Sequence, residues 1–397
     1  MLFGSTFIGN QANGQQLKIS DFTLFGGPNG TGTTLIGSSI TINNGAVGGT
    51  KLVQTTGNAT INAHIHSGDK VIITNSNVIK GKITAANSSG SAGNILSVGS
   101  SASITGNIDV NGNINIGGGS VTGIVTLPAG KTYVGPAPSG GTVFGTPAIP
   151  ILPVMPAERS FPAAGTTLAT NITGSVSKGP GSYANVIYSG NKTLTLDGGG
   201  VYVFNSFQWT GNSNILVFKF NSSNDKFYIY VHGNADFGKL SASILNGGPA
   251  NNIYFEVHGD GTGTTIPGNS FIIANGSSGG GSKMQGTVYA TRSGINIGSG
   301  TGSSSLTGAL YSVTGVTIQS GVTIGYAPFN FCDMVASTTK TDVLCFGNST
   351  GAIMPSPVTQ NTSASGLASL MPMAYGRPTP IVPRPPELIQ RRGSSNR

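Results

Sequence analysis

Val201-Tyr202-Val203, Phe227-Tyr228-Ile229 and Ile253-Tyr254-Phe255 each place a tyrosine between two large apolar residues, and the tyrosines fall 26 residues apart both times. The second and third copies continue in one register through Val231-His232-Gly233 and Val257-His258-Gly259. Alternation sets Phe227, Ile229 and Val231 on one side of the chain and Tyr228, Tyr230 and His232 on the other, the period of a half-buried strand. A strand that returns every roughly 20 to 50 residues belongs to a solenoid, because one coil cannot cover its own apolar side and must stack on the next. The stretch therefore predicts an all-β fold, a parallel β-helix (β-solenoid) with right-handed coils. The repeated outward column is read as Tyr202, Tyr228 and Tyr254.

A shorter repeat lies upstream. Gly106-Asn107-Ile108-Asp109-Val110 is followed six residues later by Gly112-Asn113-Ile114-Asn115-Ile116, with Ile108, Val110, Ile114 and Ile116 expected to face inward. Asparagine tolerates left-handed backbone at the turns and can stack in ladders from coil to coil. Residues 1–127 read as an opening cap and short coils. Residues 128–165 hold eight of the chain's 21 prolines. Proline cannot donate to a ladder, so this stretch is expected to be a linker or a strap along a solenoid face. The coils resume over residues 166–331 and end near Val322-Thr323-Ile324, with loop-like inserts at 260–269 and 275–282. Residues 354–397, with eight more prolines, read as a disordered basic tail.

Charged residues make up only 8% of the 397, and the 63 glycines have no three-residue period, which excludes collagen. The net charge of +8 comes largely from the tail, where five of seven arginines occupy the last 21 residues. No basic stripe interleaved with aromatics exists elsewhere, so nucleic acid is not an expected partner. No apolar run approaches the roughly 18 residues needed for a membrane span. Residues 1–10 lack the basic and apolar regions of a signal peptide.

Carbohydrate cleavage on a β-helix needs converging carboxylates. The chain has 12 acidic residues, with no Asp-Asp or Asp-x-Asp. Its best constellation is Tyr230, His232, Glu256 and His258, joined by Asp260, if adjacent coils stack in the 26-residue register. A polar ladder on the outer face is the plainer reading. His64-Ile65-His66 with Asp69 nearby is a weak metal set that wants a clear third ligand. The tyrosine column, with Phe204, Tyr230 and Trp209, reads either as an aromatic platform for sugars or as aromatics covered by the proline-rich segment. Cys332 and Cys345 read as a disulfide or as two inert thiols. No cofactor and no catalytic centre are expected.

The Gly106 repeat, the proline-rich segment, Gly200-Val201-Tyr202-Val203-Phe204-Asn205-Ser206 and Ile295-Asn296-Ile297-Gly298-Ser299-Gly300 together resemble the Gly/Asn-rich domain of exported surface proteins of Bacteroidota. Asp342-Val343-Leu344-Cys345-Phe346-Gly347-Asn348-Ser349-Thr350-Gly351-Ala352-Ile353 is similar to the opening of repeats in SprB-type gliding-motility adhesins, which sets residues 332–353 apart as a partial repeat. More loosely, Gly286-Thr287-Val288-Tyr289-Ala290 and Leu306-Thr307-Gly308-Ala309-Leu310 resemble the closing coils of ice-binding β-solenoids. These likenesses imply an extracellular or cell-surface structural or adhesive module. Its partners would be other copies of itself, in end-to-end or filament assembly, or surface glycans. An enzyme would show a groove of carboxylates, and an ice-binding protein a flat, regular Thr-rich face.

Overall fold

The computed structural model describes residues 14–162, 170–273, 281–298 and 303–330. Cys332, Cys345, the adhesin-like segment, the tail and most of the 275–282 insert lie outside them. The described chain is a β-solenoid, with its strands collected into sheets of 21 and 12 members. The larger sheet turns a corner. Thr41–Gly49 pairs through Thr41 and Ile42 with Thr323 and Ile324 on one side of the coil, and through Val47 and Gly48 with Leu24 and Phe25 on the next. Asn44 and Gly45, both at positive φ, make the bend between them. Each coil thus presents three faces.

Inside, side chains of successive coils stack directly. Ile42, Ile61, Ile79 and Ile104 form one column, and Tyr202, Ile229, Phe255, Val288 and Leu310 another, all buried. Coil size sets the filling. In the first half partners such as Ile65 and Ile83 are 18 residues apart and aliphatic residues fill the bore. In the second half the interval lengthens to 26 between Ile229 and Phe255, and Phe207, Trp209, Phe237 and Phe271 fill the wider interior. Trp209 stacks on Tyr188 within the core, so neither it nor buried Phe204 belongs to a surface platform.

The path of the chain differs from a simple run from one end to the other. The 12-stranded sheet places Thr33–Ile36 between Leu52–Thr55 and Gly315–Ile318. Phe22–Gly26 likewise pairs with Thr41–Gly49 on one side and Ser304–Ser312 on the other. Residues 22–36 therefore form coil strands in the middle of the stack and not at one end of it. The first half winds outward from the middle to Tyr133–Val134 and Thr142–Phe144. The second half starts at the opposite end and winds back, and its last coils close on the first. Pro128, Pro136 and Pro138 sit outside the strands of that outermost coil, where no ladder N–H is required, so coiling continues to residue 144.

One register expectation is corrected. Val201, not Tyr202, lies beside Tyr228, and Tyr202 lies beside Ile229. The first interval is 27 residues along the ladder, and a slip of one residue sends a side chain to the opposite side of a strand. Tyr202 is thus a core residue whose hydroxyl donates to Gly198 O at 2.6 Å, and the outward neighbours are Tyr228 and Tyr254. Tyr202→Ala should cost about 3–5 kcal/mol in equilibrium denaturation, as for a buried aromatic. Ile229→Ala should cost about 2–5 kcal/mol, while Thr195→Ala on the outer surface should stay within about 0.5 kcal/mol.

Candidate functional site

The face that carries Tyr228, Tyr230, Tyr254, Glu256, His232 and His258 is not open to solvent. One column along it reads Val203, Tyr230, Glu256, Tyr289, Tyr311, Phe25, Gly48, His66, Thr84 and Asp109. Phe22, Phe25, Tyr254, Tyr289 and Tyr311 are fully buried in a second apolar layer, against which Leu152, Met155 and Phe161 pack. A Cβ on Gly48 would meet the rings of Phe22 and Phe25, so glycine is what admits both.

The proline-rich segment crosses this face coil by coil. Asp109 accepts from Ala148 N at 3.1 Å, Leu17 N donates to Ile151 O at 3.0 Å, and Tyr289 donates to Pro156 O. Glu158 accepts from Thr291 Oγ1 at 2.7 Å and from Arg292 Nε at 2.8 Å, with Arg292 Nη2 bonded to its other oxygen. Pro162 O faces His232 Nε2 at 2.8 Å. Prolines suit such a crossing because it needs acceptors and packing, not a ladder of donors.

At its far end the segment meets a buried polar cluster. Glu256 lies beside Tyr230 in the ladder and is wholly buried. Its carboxylate accepts from Tyr254 Oη at 2.8 Å and from Arg159 N at 2.8 Å, and faces His258 Nε2 at 2.9 Å. The Arg159 guanidinium adds an ion pair at 3.7 Å and donates to Tyr230 Oη at 2.9 Å. His258 Nδ1 faces Glu158 at 3.3 Å. Phe161 closes the top, its ring 4.8 Å from Tyr230, 4.5 Å from His232 and 4.3 Å from His258. Burial first, then the Glu256 charge, holds the Tyr254 hydroxyl well above its ordinary pKa, so it stays a donor. The 26-residue register thus brings together four of the five residues singled out in sequence, Tyr230, His232, Glu256 and His258, but under a lid of Glu158, Arg159 and Phe161. Asp260 turns to its own loop and accepts from Thr262 N at 2.8 Å. A carboxylate with its acceptor positions filled from within is a fastener, and a proton-transfer group needs a free approach. Arg159 was legible as one of only two arginines before the tail, although nothing in the sequence fixed its partner.

His64 and His66 share the same face, rings 6.0 Å apart, beside a cavity of about 640 Å³ lined also by Lys82, Ala148, Pro150 and Tyr326. His64 Nδ1 accepts from Lys82 N at 2.9 Å, and His66 Nδ1 meets Thr84 Oγ1 at 2.8 Å. Asp69 points elsewhere, accepting from Ser89 N and Oγ in the next coil. Among the described residues no three His, Cys, Asp or Glu side chains converge as metal ligands.

A different face carries the regular surface. Thr60, Thr41, Thr323 and Ser305 stand side by side on four successive coils, and the column extends through Val78, Ser103 and Ser120 one way and Lys283, Ser241, Ile215 and Thr193 the other. Eight of these eleven positions are Ser or Thr. Two residues further along the strands runs a companion column of Asn62, Asn43, Gly325, Thr307 and Gln285. Asn62 Nδ2 donates to Asn43 Oδ1 at 2.9 Å, a ladder of the kind expected of asparagine. These side chains are half-buried or exposed, with the hydroxyl residue repeatedly just ahead of an inward one, as in Thr41-Ile42, Thr60-Ile61 and Thr323-Ile324. That repeated pair was the sequence signal for this face.

No protein-family model matches the chain, and no curated protein matches it. Five chains among solved structures match. One is the crystal structure of an ice binding protein from an Antarctic bacterium, Flavobacteriaceae, at 14% identity over 76% of this chain and 81% of that one, with a TM-score of 0.22. A superposition that loose carries no argument.

The two largest downward shifts, at His66 and Glu158, shape the acid response. Burial, helped by the nearby charges of His64 and Lys82, lowers His66 to about 4 from 6.5. Its neutral form is the native one, so the stability it contributes is present above pH 6.5 and is lost as pH falls toward 4. The hydrogen bond from Arg292, ahead of that from Thr291, lowers Glu158 to about 2 from 4.5. Its share is present above pH 4.5 and is lost as pH falls toward 2. His66→Phe should flatten the upper window of a stability–pH curve, and Glu158→Gln the lower. Glu256→Gln should cost about 3–5 kcal/mol and expose residues 147–162 to proteolysis, because it removes the wholly buried charge that half-buried Arg159 and buried His258 face.

Proposed function

We propose that the chain is an extracellular, non-catalytic binding solenoid that works through its Ser/Thr/Asn face, and that the surface it engages is ice. The observation that carries this reading is the unbroken Thr60–Thr41–Thr323–Ser305 row with its Asn62–Asn43 companion. Parallel stacking spaces such rows by about 4.8 Å from coil to coil and by roughly 7 Å between alternate residues of a strand. A rigid grid of small hydroxyls and methyls at that scale can hold a two-dimensional array of water and merge it with a growing crystal. Few charges interrupt it, Lys80 and Lys283 among them. Binding of this kind sums many weak contacts held at fixed spacing by the backbone.

Several features support a reading without catalysis. Each of the nine acidic residues in the described chain accepts hydrogen bonds from neighbouring protein groups, including Asp109 with Lys82, Asp197 with Lys219, Asp236 with Thr265 and Asp225 with the Asn221 and Ser222 amides. Placement outside the cell, as a surface-displayed or adhesive module, rests on the charge-poor Gly/Asn/Thr composition and the sequence likeness to exported surface proteins. A second reading, an extended polysaccharide on the same face, is favoured by the Asn62, Asn43 and Gln285 amides, which offer donors and acceptors together.

Purified protein should be retained by a slowly growing ice hemisphere and should depress the freezing point below the melting point. Thr41→Tyr with Thr60→Tyr should weaken both by roughly tenfold or more while leaving the unfolding transition in place. Retention by insoluble glycans with no effect on ice would favour the polysaccharide reading instead.

A further inference from the structure

The cavity beside His64 and His66 has a wall of hydrogen-bond donors that the protein itself leaves unused. His64 Nδ1 accepts from Lys82 N at 2.9 Å, so the proton of the neutral ring sits on Nε2. Thr84 is buried, and its hydroxyl has no other partner among the described residues, so it donates to His66 Nδ1 at 2.8 Å and leaves that ring's proton on Nε2 as well. Burial, ahead of the charges of His64 and Lys82, keeps His66 neutral. Both Nδ1 partners belong to the coil 18 residues on, and the two Nε2–H groups therefore point away from it. On the coil before, Ala46 lies beside His64 and is too short to reach it. Neither Nε2 has a partner among the described residues, although His66 is only 6% exposed, and a donor so enclosed calls for an acceptor. Lys82 adds charge. Its ammonium gives two N–H groups to Asp109 Oδ2 at 2.8 Å and Ala148 O at 3.2 Å, and the third remains.

The far wall has a different character. Asp21 Oδ2 accepts from Lys18 N at 2.8 Å, and its other oxygen has no partner among the described residues. Asp21 stands on the Tyr326 side, where its charge, after burial, raises the Tyr326 hydroxyl, whereas the charges that act on His66 are those of His64 and Lys82. The Tyr326 ring lies against the bend at Gly45, where a Cβ would meet it, and its hydroxyl donates to Ser20 O at 2.6 Å, so the ring is held in place. Leu17, Ile149 and Pro150 add an apolar side, tied together where Leu17 N donates to Ile151 O at 3.0 Å and Ile151 N to Gln15 O at 3.1 Å. A volume of about 640 Å³ with a few converging polar groups is that of a small-molecule site.

We propose that this cavity binds a carboxylated sugar, with its carboxylate between the His64 and His66 Nε2–H groups and the Lys82 ammonium, its hydroxyls toward Asp21 and its ring on Tyr326. A carboxylate brings only acceptors to a wall that offers only donors, and the ammonium strengthens the bonds it makes. Hydroxyls supply the donors that the open Asp21 oxygen lacks, and the C–H face of a sugar ring suits the apolar body of a tyrosine. A bare inorganic anion would leave that second wall idle. A metal ion is the wrong guest, because ligation through His64 Nε2 would move the ring proton to Nδ1, against the Lys82 N–H. The cavity lies on the face crossed by the proline-rich segment, beyond the bend from the Thr41–Thr60 row, so the site stands independently of what that row binds.

Imidazole NMR of the full-length chain, which has four histidines, tests this. Glucuronate should shift the ring resonances of His64 and His66 saturably and leave those of His232 and His258 in place, and glucose should bind roughly tenfold more weakly or less. His64→Ala, at an exposed side chain, and Tyr326→Leu, on the far wall, should each weaken glucuronate by roughly tenfold while the unfolding midpoint stays close to that of the parent chain. Tighter binding of a tri-uronate than of glucuronate would mark the end of an acidic polysaccharide as the occupant, and equal binding the free sugar acid. No saturable shift at either ring, equal affinity for glucose and glucuronate, or undiminished affinity in either folded variant would overturn the proposal.

Discussion

The parallel backbone ladder ties each residue to the one directly above it, and the rest of the molecule depends on that constraint. Once Ile42 sits over Ile61, Thr41 must sit beside Thr60 and Asn43 beside Asn62. A regular core therefore makes a regular surface. The same coupling produces the Tyr230–Glu256 pair on another face, where the column is buried instead of displayed. One physical rule thus builds both a grid of hydroxyls and a sealed polar cluster, and what separates them is whether another segment lies on top.

What lies on top of the second face is held by polar and apolar contacts in turn. Leu152, Met155 and Phe161 fill a layer outside the sheet, while Asp109, Glu158 and Arg159 tie the backbone and charges of the segment to successive coils. A buried ion set costs desolvation, and a hydrophobic replacement would often serve stability as well. What Glu256 and its donors add is position: the segment is fixed to one coil and one register, because Arg159 reaches Tyr230 and Glu256 only there.

Much of this was legible in the amino acids, for definite reasons. Alternation at Phe227–Val231 and the 26-residue return of Tyr228 at Tyr254 specified strand, period and inward side. The pairing of Tyr230 with Glu256 followed from them. Tyr202 misled because an extra residue between coils is invisible to a motif that matches on its central tyrosine. The hydroxyl face escaped notice because its row joins Thr41 and Thr60 to Thr323 and Ser305, which are far apart in sequence and become neighbours only when the second half closes on the first. Local repeats report local stacking, and nothing local reports that closure.

The seam where the halves meet also shapes how the chain reaches this structure. Elsewhere each coil docks on a partner roughly one turn away in sequence, so the ladder can grow by closing small loops. At the seam Leu24 must find Leu310, and the Tyr311 hydroxyl must find Phe22 O at 3.0 Å, across nearly the whole described length. Such non-local pairing is slow to nucleate, because its entropy is lost before its contacts form. Joining the two halves is therefore the closure that loop entropy disfavours most. The row of hydroxyls becomes continuous only when they join.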